Sequence, residues 1–109
     1  MALETSLEAT PDADCVRFVL EITNTDDQPS SLTFRDAGKA DFVVLDGETE
    51  CWRWSDGRVY AQVLTTEELA PGETLRLEAV WEQPTPGEYD VICELKTMDG
   101  DEIRTTLSV

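Results

Sequence analysis

Gly87-Glu88-Tyr89-Asp90-Val91-Ile92-Cys93-Glu94-Leu95 decides how this chain is read. On an extended backbone successive side chains point to opposite faces, which puts Tyr89, Val91, Cys93 and Leu95 on one side and Glu88, Asp90 and Glu94 on the other. That alternation belongs to an antiparallel strand with one face in a core and one in water. The same period runs through Val16, Phe18, Leu20 and Ile22, interleaved with Arg17, Glu21 and Thr23. It returns in Leu75, Leu77, Ala79 and Trp81, interleaved with Arg76 and Glu78. No window of helical length carries apolar residues at the 3.6 period, so the chain reads as strands throughout.

Turn chemistry separates the strands. Asp46-Gly47, Asp56-Gly57 and Asp99-Gly100 suit the positive φ angles of two-residue hairpin turns and mark three hairpins. Pro71-Gly72 and Pro86-Gly87 punctuate two further connections, and Asn24 to Ser30 is a polar loop containing Pro29. The strands expected are 3–9, 15–23, 31–35, 40–45, 49–54, 58–64, 74–81, 88–97 and 102–109. Short strands at this spacing without helices predict an all-β fold, an immunoglobulin-like two-sheet antiparallel β-sandwich in a single domain over 1–109. Gly87-x-Tyr89-x-Val91 has the layout of a tyrosine corner, with valine where cysteine is usual.

At 109 residues one core is expected, burying roughly 65% of the unfolded chain's surface. The N-terminus lacks the charge and apolar run of a leader, and no apolar run approaches the ~20 residues of a bilayer helix, which predicts a soluble cytoplasmic protein. Eight Lys and Arg stand against 24 Asp and Glu, a net charge of −16 spread along the chain. Nucleic acid and anionic membranes would be repelled. With only Lys39 and Lys96 as lysines, this diffuse acidity reads as halophilic adaptation to a cytoplasm of molar salt, where the Debye length falls to about 3 Å. The three cysteines, Cys15, Cys51 and Cys93, are odd in number, and Cys15 is out of phase with Val16 and Phe18, so buried free thiols are expected.

The chain has no histidine, which removes Ser-His-Asp and Cys-His catalysis and histidine metal sites. A carboxylate pair is the remaining catalytic option, but no acid reads as lying in an apolar run that would perturb it. Asp99-Gly100-Asp101-Glu102 and Asp12-Ala13-Asp14 are acidic turns short of a calcium loop. A non-catalytic protein without metal or cofactor is expected.

Several segments, taken in order, carry a resemblance. They are Ile22-Thr23-Asn24, Leu32-Thr33-Phe34, Gly38-Lys39-Ala40-Asp41-Phe42-Val43-Val44, Trp52-Arg53-Trp54-Ser55, Leu69-Ala70-Pro71-Gly72-Glu73, Trp81 and Pro86-Gly87-Glu88-Tyr89. Together they make residues 15–97 resemble the intracellular proteinase inhibitor (BsuPI) family. The resemblance implies an immunoglobulin-like sandwich that binds and inhibits an intracellular serine protease of the subtilisin type. The alternative is a structural or assembly domain with no protease target. Separately, an uncovered edge strand such as 102–109 could pair two copies into a homodimer.

Two surfaces compete as the binding site. If successive strands alternate in direction, the loops near 10–14, 35–40, 55–57 and 82–87 gather at one end and those near 24–30, 46–48, 65–73 and 99–101 at the other. The first end would collect Arg35, Lys39, Arg53 and Arg58 with Trp54, Pro84 and Pro86, against the bland expectation that these cations pair locally with surplus acids. Trp52 and Trp81 read as core, whereas Trp54 is divided between core and interface. The rival surface is Asn24, Asp26, Asp27, Gln28 and Pro29, whose proline would hold an extended segment ready for a protease cleft.

Overall fold

A computed structural model describes residues 3–35, 38–56, 64–97 and 102–109. Among these, the strands are β1 (Leu3–Pro11), β2 (Cys15–Asn24), β3 (Ser30–Phe34), β4 (Ala40–Asp46), β5 (Thr49–Arg53), β6 (Thr65–Leu69), β7 (Thr74–Glu82), β8 (Glu88–Leu95) and β9 (Glu102–Ser108). They form three antiparallel sheets, β1-β2-β7, β3-β6 and β5-β4-β8-β9. The chain is therefore all-β, as its alternation requires. No helix among the described residues is long and apolar enough to cross a membrane.

The strand expected over 58–64 falls, apart from Leu64, outside the described residues. Sequence and structure part at one strand. β6 lies where a loop was expected, because Thr65-Thr66-Glu67-Glu68 has no apolar alternation. Its strand geometry comes from pairing with β3, and the Thr33 and Thr66 hydroxyls meet at 3.3 Å across that ladder.

The alternating apolar sets converge on one core that draws on all three sheets. Val16, Phe18, Leu20 and Ile22 of β2 face Phe42 and Val44 of β4 and Val91, Cys93 and Leu95 of β8, with Phe34 and Leu69 closing one end. A row of rings crosses it. Phe18 stacks on Phe42 at 6.0 Å and on Trp52 at 5.6 Å, Trp52 stacks on Trp81 at 5.9 Å, and Trp81 meets Tyr89 edge-on at 5.4 Å. Each spacing lies within the range of favourable aromatic pairs. The Tyr89 hydroxyl donates to the Thr85 carbonyl at 2.5 Å, the bond expected of a tyrosine corner. Gly87 permits it, since a Cβ there would lie 3.2 Å from the Tyr89 oxygen.

Cys15, Cys51 and Cys93 are free thiols, but only Cys93 is buried; Cys15 is half-buried and Cys51 is exposed on the edge strand β5. Desolvation pushes the Cys93 thiol up to about 12, which keeps it protonated.

The ends of the molecule differ from the alternating expectation. Gln83 N donates to Asp14 O at 2.8 Å, Gly87 and Val109 exchange backbone hydrogen bonds, and Gly47 lies beside Tyr89, Asp90 and Leu107. The connections at 12–14, 47–48 and 83–87 therefore share one end. β4 spans ~20 Å from there to Ala40, which pairs with Leu95 at the other end. There Arg35 N donates to Lys96 O at 2.6 Å and Lys96 N to Lys39 O at 2.8 Å. Arg35 and Lys39 are thus separated from Pro84 and Pro86, which corrects their grouping, and the 46–48 turn is likewise at the end opposite to its expected place. The cause is β3. It has only five residues and pairs with β6 as a separate ribbon, so the link to β4 stays near the end where β3 began. β9 pairs with β8 on one side and lies alongside β1 on the other, so the edge named for pairing two copies is flanked within the chain.

Candidate functional site

Asn24 occupies the next inward position after Val16, Phe18, Leu20 and Ile22, where the pattern of β2 calls for an apolar side chain. It is fully buried and every polar group it has is engaged. Its Nδ2 donates to Gln28 O and to Leu69 O, both at 2.9 Å, and its Oδ1 accepts from Asp26 N at 2.9 Å. Its backbone N donates to Glu73 O at 3.0 Å, and its O accepts from Gly72 N at 2.8 Å. Asp26 Oδ1 accepts in turn from Asp27 N at 2.7 Å, and that bond holds the Asp26 carboxyl below the usual carboxylate range. The loop is therefore fixed from beneath while Thr25, Asp27, Gln28 and Pro29 stand exposed and Asp26 half-exposed. Rigidity of this kind lowers the ordering cost of binding.

A second buried polar residue lies under Trp52-Arg53-Trp54-Ser55. Asp41 is fully buried on the face of β4 opposite Phe42. Its carboxylate accepts from Arg53 Nη1 at 2.6 Å, Ser55 Oγ at 2.7 Å, Ser55 N at 3.0 Å and Phe42 N at 3.0 Å. Arg53 also binds Glu50 and Glu94, each at 2.8 Å. Glu50 foremost, with Asp41 and Glu94, raises the guanidinium pKa above its ordinary value, against an opposing effect of burial second in size only to that of Glu50. The segment after β5 is thereby pinned, and Trp54 rests half-buried with its ring tilted on Trp52 at 6.3 Å.

Asp41 corrects the expectation that no acid lies in an apolar run. Ala40-Asp41-Phe42-Val43-Val44 carries that signal, and the acid is stabilised there by donors distant in sequence. Arg53 and Lys39 take the bland alternative for the cations. Arg53 is held by three carboxylates, and Lys39 pairs with Glu67 at 2.5 Å. Arg35 is exposed, whereas Arg58 lies outside the described residues. Pro84 is half-buried and Pro86 exposed, beside Asp12, Asp14 and Val109 at the end far from Lys39. Pro84 and Pro86 therefore lie apart from Arg35 and Lys39. The loop from Asn24 to Pro29 is joined by the turn Ala70–Glu73, which the sequence showed only as punctuation. Among the described residues no group of three or more acids or cysteines is placed to hold a metal.

The profile of the BsuPI family, described as intracellular proteinase inhibitor, matches residues 3–100. No curated protein matches the chain. Among solved structures, β-glucosidase 3B from Thermotoga neapolitana in complex with α-D-glucose is similar at 15% identity and a TM-score of 0.52, over 99% of this chain and 16% of that one. A β-glucosidase from Erythrobacter marinus aligns at 15% identity and a TM-score of 0.48, over 97% of this chain and 15% of its own. The chain spans about a sixth of the length of these enzymes, and likeness at such identity concerns the fold alone.

Proposed function

The chain belongs to the BsuPI family of intracellular proteinase inhibitors, and on that premise we propose that it inhibits a subtilisin-type serine protease reversibly through the loop Asn24–Pro29. The observation that carries this reading is Asn24, a buried polar residue whose hydrogen bonds fix an exposed loop from below. A protease cleft binds extended segments, and a loop already held in place loses little conformational freedom on entering one. The fold fits an immunoglobulin-like sandwich in which the β3-β6 ribbon adjoins the two larger sheets, with the loop at one end of a rigid body.

The test is a titration of an intracellular subtilisin-type protease with the purified chain in molar potassium chloride. Inhibition is expected, with Asp27→Ala and Pro29→Ala each weakening it by about 1–3 kcal/mol at unchanged melting temperature. A second reading places the contact at Trp54 and Arg58, favoured by the way Asp41 pins the segment beside a half-exposed tryptophan. Loss of inhibition in a folded Trp54→Ala variant, with Asp27→Ala at full strength, would select it. Absence of any inhibition by the wild type would favour an assembly domain without a protease target.

We also propose that the protein works in a cytoplasm of high salt. A net charge of −16 on 109 residues opposes compaction until counterions screen it. The urea midpoint is expected to rise steadily from dilute buffer to molar potassium chloride. An unchanged midpoint would refute the proposal.

A further inference from the structure

We infer that the turn Ala70–Glu73 is a second contact surface for the same protease, so that the inhibitor grips its target with two loops held as one unit. The inference rests on the inhibitor reading of the Asn24–Pro29 loop and extends it. Asn24 ties the two segments together: its side chain bonds Gln28 O and Asp26 N of the loop and Leu69 O, the last residue of β6 before the turn, while its backbone N and O bond Glu73 O and Gly72 N of the turn itself. An apolar side chain would continue the core pattern of β2 at this position. A buried amide is costly unless its polar atoms are paired, and here the side-chain atoms are paired to the loop and to the end of β6 that leads into the turn.

The turn is closed within itself as well. Glu73 N donates to Ala70 O at 2.9 Å and Ala70 N to Glu73 Oε1 at 3.2 Å. Pro71 and Gly72 occupy the central positions, with Gly72 at φ +81°, the arrangement of a type II turn. All four residues are exposed, and a Cβ on Gly72 would meet nothing within 4 Å. The surface presented is small and apolar at Ala70, Pro71 and Gly72, beside acidic Asp26 and Asp27. It fits a partner with a shallow apolar patch next to a basic group. Because both segments are ordered before contact, the second adds contact area with little further loss of freedom.

The test compares the wild type, Asp27→Ala, Pro71→Arg and Ala70→Arg for inhibition of a subtilisin-type protease in molar potassium chloride, with melting temperatures alongside. At least a tenfold rise in inhibition constant is expected for each arginine variant at unchanged melting temperature. The two positions guard against a turn disturbed by loss of its proline. If Asp27→Ala is weakened while both folded arginine variants inhibit like the wild type, the two-loop grip is overturned and the inhibitor reading stands. If the wild type does not inhibit, both fall together.

Discussion

Trp52→Ala is expected to cost about 3–5 kcal/mol of folding stability, the usual range for removing a large aromatic side chain from a core. Its ring joins the two larger sheets, stacked on Phe18 of β2 at 5.6 Å and on Trp81 of β7 at 5.9 Å. It also supports Trp54, so the cavity left behind would be lined by three rings that no longer touch a common neighbour. Because Trp52 lies on the edge strand β5 and is half-buried, the lower part of the range applies. For a domain near 100 residues each 1 kcal/mol shifts the melting temperature by roughly 4–8 °C, so a fall of more than about 12 °C is expected in thermal unfolding at fixed salt. Trp54→Ala should cost clearly less, since it is Trp52 that stacks on both Phe18 and Trp81 and so joins the sheets. Equal losses for the two variants would mean that Trp52 does not join the sheets more strongly than Trp54.

Asp41→Ala should destabilise by about 3 kcal/mol, near the lower end of the range for breaking a buried charged pair. The discount reflects Arg53, which is 29% exposed and keeps Glu50 and Glu94 as partners when Asp41 is gone. The remainder comes from Phe42 N and the Ser55 hydroxyl and amide, which lose an acceptor at about 1–3 kcal/mol for each group left buried and unpaired. Asp41→Asn retains one acceptor oxygen and is expected to lose about half as much. Urea unfolding of both variants at one salt concentration checks the order. A loss under 1 kcal/mol in Asp41→Ala would mean that solvent replaces the carboxylate and that Trp52-Arg53-Trp54-Ser55 is held by its rings alone.

The large strands were legible because burial of one face imposes a period that every residue obeys. Val16 to Ile22, Leu75 to Trp81 and Tyr89 to Leu95 each declared both their strand and their inward side. The tyrosine-corner layout around Tyr89 was legible too, since the bond it implies, found here to Thr85 O, spans only four residues. β6 was hidden because a strand without an apolar face acquires its geometry from its partner, and the partner, β3, lies about 35 residues earlier.

The candidate site divides along the same line. The sequence marked Asn24 to Pro29 as a polar loop closed by proline, and Trp54 as an aromatic at a strand end. It could not supply the relation of either to the rest of the chain. Grouping Arg35 and Lys39 with Pro84 and Pro86 assumed that each strand crosses the whole body, which the short β3 does not. What the sequence by itself determined was the alternation that makes the protein all-β, the turns at Asp46-Gly47 and Pro71-Gly72, and the net charge, whereas the turns expected at Asp56-Gly57 and Asp99-Gly100 fall, apart from Asp56, outside the described residues. Only the tertiary structure decided that Asn24 unites two loops and Asp41 pins a third segment. A buried polar group is stabilised by donors and acceptors that meet it only after folding, and local pattern carries no record of them.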